Sequence, residues 1–299
     1  MLWRVRTTLP DRPGALAVLA EHCGAADVNI LGLQIFPGIH AVTDELVLRT
    51  PDHWGLPELA RLVEGAGGEA VSAAPCTESA LADQPTRYVQ AARTILAQPA
   101  AFPEVVATLF DAEADPGPGA LSVVQDVMDL SVNDVLVQVR RTAPFTATEH
   151  ARGSALADLV TDVLARSRAD ESLLLAGRRL GGAVTPRYVP GDDRIAAVVD
   201  GTTVGVATLR PEAGEPGVRE LTLHVDPAWQ RRGIGSRLLV EAARLAASQG
   251  TSEIVMATRA DNQAVLPLVL AAGLRGRIRM SGDRLTVRAP VRDLSPAHR

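Results

Sequence analysis

The segment with the clearest chemistry runs Val225-Asp-Pro-Ala-Trp-Gln-Arg-Arg-Gly-Ile-Gly-Ser236, between a strand-like stretch and a long amphipathic one. Glycines at 233 and 235 let the backbone turn tightly enough for several N–H groups to converge where a helix begins. A helix N-terminus is an anion site, and Arg231 and Arg232 add charge to it. A diphosphate is the natural ligand of such a cradle. The loop is not a Walker sequence, which needs Gly-Lys-Ser/Thr, nor a full dinucleotide fingerprint.

The elements that must position this loop follow from periodicity and turn residues. Residues 2 to 8 read as a strand, Leu9 to Pro13 as a loop, and Gly14 to about Cys23 as a helix. Val28 to Phe36 and Ala41 to Leu48 read as paired strands turning at Pro37-Gly38, Leu56 to Val63 as a second helix, and Glu69 to Ala73 as a strand. The order βαββαβ is that of a ferredoxin-like split unit. Helices are expected near 87–96 and 103–111, then the breaker-rich stretch Asp115 to Gly119, a hairpin around Asn133, and a helix from about Thr148 to Arg166. The polar stretch 168–194 is expected to be a surface loop. Strands at 195–200, 204–210 and 220–225 lead into the phosphate loop and a helix over 233–248. A strand at 253–257, a helix over 262–272 and strands at 276–280 and 284–288, hinged at Ser281-Gly282-Asp283, complete a mixed α/β (α+β) chain.

The chain has 299 residues, 46% of them hydrophobic and 22% charged, which predicts about two domains. The boundaries expected are 1–76, a helical connector over 77–119, a second domain over 120–293 and a tail at 294–299. The start lacks an apolar leader and no apolar run is long enough to span a bilayer, so a cytoplasmic protein without membrane contact is expected. Cys23 and Cys76 fit neither a metal nor a redox spacing, so no metal is expected. A formal charge of −5 argues against general nucleic-acid affinity. All 30 basic residues other than histidine are arginine. With no lysine, the chain has no side-chain primary amine of its own.

Gln230-Arg231-Arg232-Gly233-Ile234-Gly235 matches the Gln/Arg-x-x-Gly-x-Gly/Ala motif of the GNAT superfamily of N-acetyltransferases, and the surrounding order of elements also resembles that fold. The resemblance implies acetyl-CoA as co-substrate. Its pyrophosphate would be bound by Arg231, Arg232, Gly233, Ile234, Gly235 and Ser236, and its pantetheine arm by Leu223, His224, Val225 and Asn262. Transfer to an ammonium needs a base, and Glu220 is at the position of the catalytic glutamate of Pat-type bacterial protein lysine acetyltransferases. Burial among apolar neighbours would raise its pKa; a solvated strand-end residue paired with Arg219 or Arg210 is the other reading. His224 shares its strand parity and is the second candidate base. Many family members carry a tyrosine acid seven residues after the asparagine, where this chain has Val269.

Residues 2 to about 75 resemble an ACT domain, on Leu9-Pro-Asp-Arg-Pro-Gly-Ala-Leu16 and Val28-Asn29-Ile30. The resemblance implies an amino-acid site at Leu9, Asp11, Pro13, Gly14, Ala15, Leu16, Asn29 and Ile30, with loop amides receiving the carboxylate and Asp11 and Asn29 the amino group or side chain. It also implies pairing of ACT domains, hence a homodimer or higher oligomer. Together the two halves resemble the amino-acid-regulated protein lysine acetyltransferases of actinobacteria, whose usual target is AMP-forming acetyl-CoA synthetase. Asparagine, cysteine and arginine are the candidate effectors. The alternatives are a small-amine N-acetyltransferase, and an amino-acid and acetyl-CoA sensor whose catalytic domain no longer turns over.

Overall fold

The computed structural model describes residues 1–37, 41–81, 83–112, 125–177, 185–211, 215–281 and 283–292. Gly38, the breaker stretch 115–119, Gly282 and the tail 294–299 lie outside the described residues. The chain divides into two compact units. The first comprises 1–91, 120–126 and 141–152; the second comprises 92–119, 127–140 and 153–299.

The first unit begins β1 (Leu2–Pro10), α1 (Ala15–Ala25), β2 (Asn29–Pro37), β3 (Ala41–Arg49), α2 (Leu56–Gly65) and β4 (Glu69–Pro75). The sheet order is β2-β3-β1-β4, every pair antiparallel. Alternation sends Trp3, Val5 and Leu9 of β1 and Leu46 and Leu48 of β3 to one face. There they form a core with Leu19 and Cys23 of α1 and Leu59 and Val63 of α2. Arg6 and Glu45 point to the opposite face, where they meet Glu149.

The remaining elements are α3 (Gln84–Ala97), α4 (Phe102–Leu109), β5 (Asp126–Val132), β6 (Val135–Arg141), α5 (Ala147–Gly177), β7 (Arg187–Pro190), β8 (Arg194–Val199) and β9 (Thr202–Leu209). They continue with β10 (Val218–Val225), α6 (Ile234–Ser248), β11 (Glu253–Arg259), α7 (Val265–Ala272), β12 (Gly276–Ser281) and β13 (Arg284–Pro290). Nine strands form one sheet in the order β5-β6-β12-β13-β11-β10-β9-β8-β7. Two pairings are parallel, β10 with β11 and β6 with β12.

Three expectations need correcting. The stretch 168–194 is not one loop. α5 continues to Gly177, because 166–176 contains neither glycine nor proline and is rich in helix formers. Residues 187–190 form β7, an edge strand that ends at Pro190, where a missing N–H costs no ladder bond. The helix expected from Asn262 starts at Val265 instead, because Asn262 Oδ1 accepts the N–H of Ala264 at 3.1 Å and folds the preceding residues into a turn.

Candidate active site

Strand β10 is where the sheet opens. Val218, Arg219 and Glu220 pair with Glu253, Ile254 and Val255 of β11, and the pairing stops there. From Leu221 to Val225 the strand is paired only with β9. Beyond Glu220, the edge of β10 that faces β11 therefore has backbone groups without ladder partners, as an extended amide-bearing ligand requires. Leu223 and Val225 point to the face where α6 packs, each within 4 Å of where a side chain on Gly235 would begin. Glu220, Thr222 and His224 alternate to the other face and are exposed.

The chain leaves β10 through a 3-10 turn at Pro227–Trp229, capped by Asp226 Oδ1, which accepts the Ala228 N–H at 2.8 Å. Gln230 Nε2 donates to the Val225 carbonyl at 3.0 Å and ties the loop to the strand end. Arg231 has φ 61° and Gly233 φ 78°, two left-handed residues that reverse the chain into α6. The two glycines serve different needs. A side chain on Gly233 would meet open space but strain the backbone, whereas one on Gly235 would sit 3.1 Å from Leu268 Cδ1.

Helix α6 has no side-chain cap, and the N–H of Arg237 bonds back to the carbonyl of Gly233. The N–H groups of Ile234, Gly235 and Ser236 precede that ladder and lack intrahelical partners. Arg231 and Arg232 are exposed beside them, and the Arg232 guanidinium lies 4.7 Å from the Trp229 ring centroid. These residues fit a diphosphate with an extended amide-containing arm: three convergent donors, flanking cations and an unpaired strand edge.

Glu220 is not buried among apolar neighbours. Its side chain is 44% exposed and lies 3.6 Å from Arg210 Nη1, because its parity on β10 faces away from the helices. Arg219 is engaged elsewhere, with Asp193, Gln249 and the carbonyls of Leu209 and Arg210. Asn262 directs its amide inward on its own turn, Nδ2 donating to Thr258 Oγ1 at 2.9 Å, and it lines a small cleft with Glu104 and Leu266. Val269 is fully buried and faces Gly276, where a side chain would begin 2.7 Å from Val269 Cγ1.

In the first unit, Gly14 has φ 91° and opens α1 without a side-chain cap. Val18 N–H bonds back to Gly14, leaving the N–H groups of Leu16 and Ala17 ahead of the ladder. Asp11, Pro13, Gly14 and Asn29 are exposed, Ala15, Leu16 and Ile30 half-buried, and Leu9 is in the core, so Leu9 offers only its backbone.

Two groups of this unit escaped the sequence reading. Glu149 receives Arg6 Nη2 and Arg141 Nη2, each at 2.8 Å, and the Thr146 N–H at 2.9 Å. Burial pushes its carboxyl up, but the hydrogen bonds and charges of Arg141 and Arg6 override that and hold it at about 2. Thr146-Ala-Thr-Glu149 is a capping box, the one local signal that could have pointed there. Asp44 is 1% exposed on β3, its Oδ1 has no hydrogen-bond partner, and burial pushes its carboxyl up to about 6. Its signal was an acid at an apolar position of a strand whose next inward residues are Leu46 and Leu48.

Residues 181–273 match the acetyltransferase (GNAT) family. Comparison with curated proteins gave no match. Among solved structures, the chain is similar to a GNAT-family acetyltransferase from Streptococcus pneumoniae, at 18% identity and a TM-score of 0.28, over 33% of this chain and 66% of that one. A putative acetyltransferase from Salmonella typhimurium with its cofactor acetyl-CoA is similar at 20% identity and a TM-score of 0.29, over 36% of this chain and 68% of that one. The GNAT domain of Streptomyces lividans PAT gives 20% identity and a TM-score of 0.30, over 33% of this chain and 61% of that one. The matched part thus spans less than two thirds of the first and third of these proteins. With the family match falling on the turn into α6 and the strands around it, residues 181–273 carry an acyltransferase domain of the GNAT acetyltransferase family.

Proposed function

We propose that the chain is an acetyl-CoA-dependent protein lysine N-acetyltransferase, regulated by an amino acid bound at its N-terminal unit, with AMP-forming acetyl-CoA synthetase as acceptor. The observation that carries the catalytic part is the parting of β10 from β11 directly after Glu220, which puts a carboxylate at the mouth of the gap. The N–H groups of Ile234, Gly235 and Ser236 hold the diphosphate, and the unpaired edge of β10 at Leu223 to Val225 binds the arm. Acetyl-CoA supplies the activated thioester. Glu220 attracts the acceptor ammonium, takes its proton and frees the amine for attack. With Val269 buried in place of a tyrosine, the departing thiolate takes its proton from water.

The regulatory part is supported by the left-handed Gly14, the free amides at the start of α1 and the exposed Asp11 and Asn29, which suit a carboxylate and an ammonium. Leu33 and Ile35, each nearly half exposed on the edge strand β2, support pairing of two copies. Among the described residues no helix is long and apolar enough to cross a membrane. The test is acetylation of purified acetyl-CoA synthetase with each amino acid added in turn. Absence of transfer removes the acceptor, and an unchanged rate with every amino acid removes the regulation.

The buried Val269 favours one rival, a sensor that binds acetyl-CoA without turnover. Robust acetylation of any amine, lost in Glu220→Gln while coenzyme binding persists, rules it out. A small-amine acetyltransferase would instead prefer free amines to the protein.

A further inference from the structure

Among the described residues of the second unit, the helices that pack on the nine-stranded sheet do so on one face. Gly235 of α6 packs on Leu223 and Val225, Val269 of α7 on Gly276, and Gly153 of α5 against Met128 and Leu130, all on the same side. The connections β7 to β8 and β8 to β9 are tight turns that send no helix across the other face. Following the register outward from Glu220, that other face carries Arg194, Thr208 and Val206 on one side. On the other side it carries Val255, Arg259, Arg277, Arg284 and Arg288. Not one of these residues is buried.

Two arginine pairs stand directly opposite each other across strands: Arg259 with Arg284, and Arg277 with Arg288. Like charges in that position destabilise a sheet. One member of each pair is compensated, Arg259 by Asp261 and Arg288 by Glu215 and Glu253. Among the described residues the other members, Arg277 and Arg284, have no ion-pair partner, and both are exposed. At the opposite rim Arg194 is exposed and likewise without one. The result is a central carboxylate, Glu220, between arginines on either side, about 12–16 Å away given strand spacing.

We infer that this open face docks an acidic segment of the acceptor protein, its carboxylates on Arg277, Arg284 and Arg194 and its lysine on Glu220. The inference rests on the protein-acceptor reading above and specifies its substrate class. Interspersed carboxylates at Glu220, Glu253 and Asp129 oppose a uniformly anionic polymer such as nucleic acid. They suit a peptide in which acidic side chains flank a cation.

The test uses fluorescein-labelled lysine peptides flanked by Asp/Glu, by Ser/Gly or by Arg, plus a single-stranded oligonucleotide of matched length. Binding and acetylation are both read, with the wild-type chain and with Arg277→Gln/Arg284→Gln. Arg277 and Arg284 are exposed and each stands opposite another arginine, so removing both leaves a folded chain, checked by its melting temperature. The expected result is a roughly tenfold preference for the acidic peptide that fades with salt and disappears in the double variant. Equal binding of all peptides, a preference that survives the substitutions, or an oligonucleotide bound as tightly as the acidic peptide overturns the inference. Preferential binding without acetylation keeps the docking surface and removes the lysine acetyltransferase reading; acetylation without preference does the reverse.

Discussion

The Glu220 carboxylate stands 3.6 Å from the Arg210 guanidinium, at the last residue of β10 that pairs with β11. An exposed ion pair of this kind contributes little to stability, so its members can exchange partners at little cost. Glu220→Gln is expected to lower kcat by about 10²- to 10⁴-fold while coenzyme A binding stays within twofold to threefold, roughly. Steady-state kinetics with calorimetric coenzyme titration checks this, and unchanged turnover removes Glu220 from the mechanism.

Gly233→Ala is expected to weaken coenzyme binding by about tenfold, since a left-handed backbone costs a side-chain-bearing residue about 1–2 kcal/mol and misdirects the donors of α6. Gly233→Asn should recover part of the loss, because asparagine tolerates that conformation. Equal affinity of all three forms would show that the left-handed turn is irrelevant to binding.

Glu149→Gln is expected to destabilise the chain by about 3–5 kcal/mol, leaving Arg6 and Arg141 buried without their shared carboxylate. Because the folded carboxyl is held at about 2 against an ordinary 4.5, its contribution is complete above 4.5 and is lost as pH falls towards 2. Denaturant titrations of wild type and variant should therefore converge in acid.

Asp44 has the opposite sign. Its folded pKa of about 6 exceeds the ordinary 3.8, so the folded form keeps a proton that the unfolded chain has lost. Its contribution to stability is greatest below 3.8 and is lost as pH rises through 6. Asp44→Asn should raise the melting temperature at neutral pH, by up to about 3 kcal/mol in stability, and leave it unchanged near pH 4, roughly. A variant less stable at neutral pH would mean that the carboxylate has an ionic partner in solution.

The sharp turn into α6 was legible because its signals are local: two glycines, two arginines and a strand-to-helix junction within a dozen residues. The order of elements in the first unit was legible for the same reason, each strand and helix carrying its own period. Glu220 could be located but its surroundings could not. Whether a strand residue faces helices or solvent depends on which face the crossovers take, and Arg210 meets it through pairing of β9 with β10. Arg6 and Glu149 are 143 positions apart, and nothing in the spacing of either announces the other. The loop expected over 168–194 failed on its flanks, where charge and polarity were mistaken for irregular backbone. A polar helix end and an edge strand can have the same composition as a loop.

Because the first unit takes in 141–152 as well as 1–91, the chain returns to it after β6 and leaves again along α5. No single scission can release either unit whole. A fragment ending before 141 would leave Arg6 without Glu149, and one beginning after 91 would leave Glu149 with Arg141 but without Arg6. Proteolytic or evolutionary separation of the two units therefore requires re-engineering that buried cluster rather than trimming a linker, so the units should be inherited and degraded together.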